Sequence, residues 1–426
     1  MTLPLIAWLT PRRRPLLAGA VLAASLAFPL AAAQAETWDE HWVGTWGAGH
    51  GRPPLPADTQ VFTDQTLRLI VHTSLGGNRV RIRLSNEMGS TQLHIGEAWI
   101  AVRDSGAAIS PGTGHQLRFG GATSITIPPG APLLSDPVEL NVPALSDLAI
   151  SLYLPGSAAA TTIHANARQT SYVSLPGNFA DAATLPTART IVSLPFLAEV
   201  DVDSNGAAIV MLGDSIGDGT RSTRDANKRW TDWLARRLQA SRDRGLGAGA
   251  RLGVVNRSID GNRRLAKPPE GVSAGRNTFE RFNRDVLATA GVRYLAVMSG
   301  INDIGNSPND NPIHAAAVIA GYKQLAARAH AKGIAIFGAT LTPFEGAACY
   351  SPQKEAVRQA LNNWIRSTDE FDGVIDFDRV MRDPVRNSRL LPAYDSGDHL
   401  HPNDLGHQVM GNAVPLELFR PGASAK

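Results

Sequence analysis

The chain has 426 residues, with 41 Lys and Arg against 38 Asp and Glu, and a single cysteine, Cys349. Three of those arginines lie in the first 35 residues, which hold no acidic residue, so the remainder balances at 38 against 38. A neutral chain with interspersed signs offers no general field for nucleic acid, and one cysteine cannot close an intrachain disulfide, so the fold must hold by its cores.

The first 35 residues read as an export signal. Arg12, Arg13 and Arg14 precede an apolar run over 16–33, and Ala33-Gln34-Ala35 puts small residues at the positions a signal peptidase requires. Alanines and Pro29 make the run a weak membrane span, so cleavage after Ala35 is expected, with no stable span left in the mature protein. Arg13-Arg14 followed by Pro15-Leu16-Leu17 is similar to a twin-arginine signal. The expected destination is the periplasm or the medium. The roughly 390 residues that remain exceed one ordinary core, so two domains are expected, with the boundary near residue 200.

Residues 36–200 read as an all-β domain. The segment 66–71 begins with alternation, and 79–84 alternates cleanly, placing Arg79, Arg81 and Arg83 on one face and Val80, Ile82 and Leu84 on the other. Gly76-Gly77-Asn78 between them predicts a hairpin turn. Further strands are expected over 93–102, 116–119, 124–127, 138–142, 148–154 and 161–165, a spacing that suggests a β-sandwich or jelly roll. Trp42 and Trp46 would share a face of an extended segment, and with Trp99 they are candidates for a glycan platform or for core.

From about residue 201 the period changes. Continuous apolar runs at 208–212, 254–256, 294–298, 334–339 and 373–377 alternate with helical patterns at 230–238, 279–289, 315–332 and 353–366. Gly333 closes the third helix. Strand, crossover helix and strand in repetition predict a three-layer α/β domain with a parallel sheet over 201–426.

Candidate chemistry gathers at the ends of these strands, where open α/β sheets place their sites. Ser215, in Gly213-Asp214-Ser215-Ile216, follows the first run; a capping serine is the plain alternative. Asp398-His399-Leu400-His401 could supply an imidazole to take a serine proton and a carboxylate to orient it. His399 competes with His401, Asp395 competes with Asp398, and the crowded His-x-His cluster could also bind a metal. Asn302, in Gly300-Ile301-Asn302-Asp303, could donate to an oxyanion, as could the unobstructed N–H of Gly261; either could equally be a turn residue. Cys349 reads as an ordinary half-buried thiol rather than a nucleophile.

Taken together, Gly213-Asp214-Ser215-Ile216, Gly261 within 256–262, Gly300-Ile301-Asn302-Asp303 and Asp398-His399-Leu400-His401 resemble the four motifs of the SGNH hydrolase superfamily, the GDSL-type lipases and esterases. The resemblance covers about 205–420. The whole chain is similar to a secreted bacterial two-domain subgroup with an N-terminal β domain. It implies a flavodoxin-like three-layer fold, with Ser215 as nucleophile, His401 rather than His399 as base, and Asp398 as its orienter. It implies an oxyanion hole made by the N–H groups of Ser215 and Gly261 and the side chain of Asn302, and no cofactor or metal. The second motif departs from the family at Arg257, expected to face solvent with projection toward substrate as the alternative, and at Ser258, where a glycine is common. Arg263, Arg264 and Lys267 read as a solvated cluster, with steering of an anionic substrate as the alternative.

The implied activity is hydrolysis of carboxylic esters through an acyl-enzyme. No long apolar lid stands out, which favours acetyl or other short acyl groups on small alcohols or polysaccharide. The alternatives are lipase or lysophospholipase activity, O-acyl transfer, a metal-dependent hydrolase, and a non-catalytic glycan-binding envelope protein.

Overall fold

The computed structural model describes residues 41–53, 55–243, 251–266 and 273–420; the expected export segment and Lys267 lie outside the described residues. The chain first forms fifteen strands: Trp42–Gly47 (β1), Val61–His72 (β2), Gly77–Ser85 (β3), Leu93–Ile95 (β4), Glu97–Val102 (β5), His115–Gln116 (β6), Ile125–Ile127 (β7), Pro132–Leu134 (β8), Val138–Val142 (β9), Asp147–Ala159 (β10), Ile163–His164 (β11), Ser171–Pro176 (β12), Thr187–Ile191 (β13), Leu194–Pro195 (β14) and Leu197–Asp203 (β15). The larger sheets are antiparallel. One runs β13-β12-β2-β10-β5-β6; the other runs β1-β15-β3-β8, with β9 also on β3. Leu67, Leu69, Val71, Leu148, Ile150 and Leu152 of the first sheet share one apolar core with Val80, Ile82, Leu84, Val200 and Val202 of the second.

Two expectations fail here for physical reasons. Gly76-Gly77-Asn78 is not a hairpin turn, because β2 and β3 lie in different sheets and Gly77 already opens β3. The crossing at 73–76 is held by β1 instead: Thr45 Oγ1 accepts from the N–H groups of Ser74 and Leu75 and donates to the Leu75 carbonyl. Nor do Trp42 and Trp46 share a face. A bulge between Gly44 and Trp46 pairs Trp42 with Asp203 but Trp46 with Val200, and one extra residue moves the later side chain to the opposite side. Trp42 is buried, with the Arg81 guanidinium 4.5 Å above its ring, and Trp46 packs against the core.

The alternation of β3 is real, but its arginines meet carboxylates rather than water. Arg81 pairs across the ladder with Asp201, at 3.0 Å, and Arg83 with Glu199. Opposite charges in register on one face favour this pairing over a slipped one.

The second half is a parallel sheet. Its strands are Gly206–Gly213 (β16), Arg251–Asn256 (β17), Val292–Met298 (β18), Ala335–Ala339 (β19) and Gly373–Ile375 (β20), in the order β17-β16-β18-β19-β20. This is the 2-1-3-4-5 order of doubly wound, flavodoxin-like sheets, with the direction of winding switching at β16. The helices are Ser215–Asp218 (α1), Trp230–Asp243 (α2), Thr278–Phe282 (α3), Ile301–Gly305 (α4), Ala315–His330 (α5), Pro352–Ser367 (α6), Phe377–Met381 (α7) and Asp404–Ala413 (α8). The run at 279–289 is only partly α-helical; α3 passes into a π turn over Asn283–Leu287. The last strand stops at Ile375 because Asp376 caps α7, accepting from the Arg379 N–H.

The two halves pack closely. The edge strand β17 does not end in open backbone: Val254 N donates to Ser74 Oγ, which donates to the Val254 carbonyl, so the arch after β2 covers the edge. Gly44 N donates to the Ala290 carbonyl at 2.9 Å. A Cβ at Gly253 would fall on the carbonyl oxygen of Gly44, so backbone meets backbone here. Gly253→Val should therefore destabilise the protein by about 1–3 kcal/mol, as overpacking does, read as a lower urea midpoint. An unchanged midpoint would show that the halves do not press together at this point.

Candidate functional site

Three strand ends and one late loop build the site. β16 delivers Asp214 and Ser215. Asp214 caps α1, its carboxylate accepting from Ile216 N at 3.2 Å, so Ser215 opens a helical turn just beyond the sheet. β17 ends at Asn256 and leads to Gly261, whose φ of +71° is a conformation that suits glycine. β18 leads to Gly300 and Asn302 at the start of α4. The strands β17, β16 and β18 are neighbours, so these three turns lie side by side.

The fourth part comes from the C-terminal loop. Ser215 Oγ lies 2.8 Å from His401 Nε2, and His401 Nδ1 lies 2.8 Å from Asp398 Oδ2. With a carboxylate at Nδ1, that nitrogen carries the proton, and Nε2 is left to accept from the serine hydroxyl. The other carboxylate oxygen of Asp398 accepts from the N–H groups of Leu400 and His401, and Arg221 Nε lies 3.0 Å from Oδ2. Burial works against the Asp398 charge, but the backbone and imidazole N–H groups of His401 outweigh it and hold the carboxyl below the usual carboxylate range. Ser215 is 2% exposed, whereas the His401 side chain is 15% exposed.

His399 forms a separate pair. Its Nδ1 lies 2.6 Å from Asp395 Oδ2, its side chain is half-exposed, and its φ is +62°. Among the described residues, no group of three or more His, Cys, Asp or Glu is arranged to hold a metal ion. Cys349 is half-buried beside Gly305, and burial pushes its thiol up.

The motif loops are held by groups that sequence reading missed or misjudged. Asn302 Nδ2 donates to the Asn262 carbonyl at 3.1 Å, which uses one of its two N–H bonds. Asp303 accepts from Arg264 N and Leu265 N. Arg281 reaches the carbonyls of Gly213 and Arg257 and the Asn262 side chain, tying the ends of β16 and β17 together. Nothing in its helical context signals that role. Arg257 does not face solvent: it is buried against Glu199, and it donates to the carbonyls of Ala48 and Ala198. Arg264 is no solvated charge either. It is buried over the Tyr322 ring and donates to the Ser299 carbonyl.

Asp214 carries a titration of its own. Burial, with the Asp260 and Asp303 carboxyls adding to it, pushes Asp214 up to about 7, although the Ile216 N–H opposes the rise. A carboxyl raised in the folded state favours folding when protonated, so its contribution is present below its unfolded value near 4 and is lost as pH climbs towards 7. Asp214→Asn keeps a cap and removes that titration. Wild-type stability relative to the variant should fall by on the order of 1 kcal/mol per pH unit across this window, read from urea midpoints. Parallel pH curves for the two proteins would contradict the assignment.

Residues 211–409 match the family model described as GDSL-like Lipase/Acylhydrolase. No curated protein matches the sequence. Among solved structures, the chain is similar to an acetylxylan esterase from Geobacillus stearothermophilus, with 20% identity, 49% of this chain and 93% of that one covered, and a TM-score of 0.36. It is also similar to a GDSL-like lipase from Bacteroides thetaiotaomicron VPI-5482, with 18% identity, 48% and 84% covered, and a TM-score of 0.32. The strand order and the family match agree on one conclusion: residues 211–409 carry a domain that matches the GDSL-like lipase/acylhydrolase family model.

Proposed function

We propose that the protein is an exported serine esterase that cleaves acetyl or other short-chain acyl esters of small alcohols or carbohydrate. The observation that carries the reading is the 2.8 Å approach of Ser215 Oγ to His401 Nε2. It is proton-transfer distance between groups of the right kinds.

In this reading His401 takes the Ser215 proton as the hydroxyl attacks the ester carbonyl. Asp398 stabilises the imidazolium. The oxyanion is met by the N–H groups of Ser215 and Gly261 and by the second amide N–H of Asn302, and one such donor contributes about 3–4 kcal/mol. The alcohol leaves with the proton from His401, and water then attacks the acyl-enzyme by the same route. His399, already paired with Asp395, stands outside the cycle. The boundary expected near residue 200 falls within β15, so the front domain is taken to run through Asp203 and the catalytic one to begin with β16. The basic, apolar and small-residue order of 1–35 supports export.

Ser215→Ala and His401→Ala should each lower kcat on a short-chain activated ester by at least about 10⁴-fold, and Asp398→Asn by about 10⁴-fold. His399→Ala should fall far short of that, and a chelator should leave the rate unchanged. The enzyme recovered from periplasm or medium should begin at Glu36. Loss of activity to chelator, with Ser215→Ala mild, would favour the metal-dependent alternative.

A further inference from the structure

The front half touches the catalytic half most pointedly at the segment after β11. Asp225 N donates to the Arg168 carbonyl at 3.1 Å, Thr170 Oγ1 donates to Asp225, and Arg168 and Arg229 reach the carbonyls of Ser222 and Ala167. Within this grip His164 and Asp218 are buried together, with His164 Nε2 3.0 Å from Asp218 Oδ1. Asp218 closes the helical turn that Ser215 opens. Its other oxygen accepts from the N–H of Asp260 at 3.1 Å, and Asp260 immediately precedes Gly261.

We infer that His164 is a positioning residue for the oxyanion hole, acting through Asp218. The inference rests on the reading of Ser215 as nucleophile and Gly261 as oxyanion donor. One carboxylate spans the turn that bears the nucleophile and the loop that bears the second donor. His164, from the other half, pins that carboxylate from outside. An oxyanion donor is useful only when aimed to within about 0.5 Å, and this pin sets the aim of Gly261.

The ring chemistry is specific. His164 Nδ1 lies 2.9 Å from the Gly49 carbonyl, and Nε2 faces a carboxylate. A backbone carbonyl at Nδ1 and a carboxylate at Nε2 both call for a donor, so the ring donates from both nitrogens, as an imidazolium does. Burial opposes that charge, but Asp218 outweighs burial and raises the His164 pKa; Arg229 acts the other way. Asp260 completes the cluster: burial, with the Asp218 carboxyl adding to it, pushes its own carboxyl up. An unpaired Asp218 would be a buried charge without compensation, and it would move the loop it holds.

Two conservative variants of the full chain separate the two ring contacts. His164→Asn keeps a donor near Nδ1 for the Gly49 carbonyl but does not reach Asp218. His164→Gln keeps a donor near Nε2 for Asp218. The pair borders a cavity of about 40 Å³, which leaves room for either amide. On a short-chain p-nitrophenyl ester, His164→Asn should lose about 10- to 100-fold in kcat with KM within about twofold. The Ki of an alkyl boronic acid, which binds as a tetrahedral adduct, should rise by the same factor. His164→Gln should recover most of the loss. Equal kcat in the two variants, an Asn variant matching wild type, or a change confined to KM would each overturn the inference. Ser215→Ala run alongside separates the two claims. If that variant is dead while His164→Asn is fully active, the inference alone falls; if it still turns over, the nucleophile reading falls and takes the inference with it.

Discussion

The contact between Ser215 and His401 closes 186 residues of chain on one hydrogen bond. The intervening strands, helices and loops must all be in register for the two side chains to meet. The sheet meets part of that demand by putting the turns after β17, β16 and β18 side by side at its carboxyl end. The late loop meets the rest. Asn403 caps α8 by accepting from Gly406 N, and its amide donates to the Ala393 and Asp395 carbonyls, so the segment bearing His401 is tied at both ends. The imidazole is oriented from behind by Asp398, which uses three N–H bonds of its own segment to do so.

Buried charge is the second constraint. Glu199 of the front half sits between Arg83 and Arg257, and Asp285 sits between Arg281 and Arg284. Burial works against Asp285 as well, but Arg284 and Arg281 outweigh it and hold its carboxyl below the usual range. Such networks add little when measured against an apolar replacement, but they are costly to break. Here they fix which surfaces meet: Arg281 is at once a partner of Asp285 and a donor to the backbone just before Asp214. Arg257 joins the two networks, pairing with Glu199 of the front half while its carbonyl accepts from Arg281, so the support of the Ser215 turn and the packing of the two halves are connected.

Much of this was legible in sequence. Continuous apolar runs marked the parallel strands because both faces of that sheet are covered, and three of the four motifs fall at the turns after β16, β17 and β18, with the fourth in the late loop. What escaped was whatever depended on a distant partner. The segment Leu197–Asp203 carries three carboxylates and did not read as a buried strand, yet Glu199 and Asp201 are buried because arginines of β3 face them. Arg257 and Arg264 read as surface charges for the same reason: composition displays a charge but not the carbonyl, ring or carboxylate that receives it. The glycine pair at 76–77 has hairpin chemistry, but β2 finds its partners in β10 and β12, and the turn becomes a crossing between sheets. His164 gave no signal, since its partner lies 54 residues away on the other half of the chain.

The central claim is that Ser215 becomes the nucleophile because His401 takes its proton. Intact-protein and peptide mass spectrometry after exposure to a fluorophosphonate tests it most directly. The account predicts one phosphonyl adduct per chain, on the peptide containing Ser215, formed at a rate that collapses in His401→Ala. An adduct at another residue, or labelling of Ser215 at an undiminished rate without the imidazole, would contradict it.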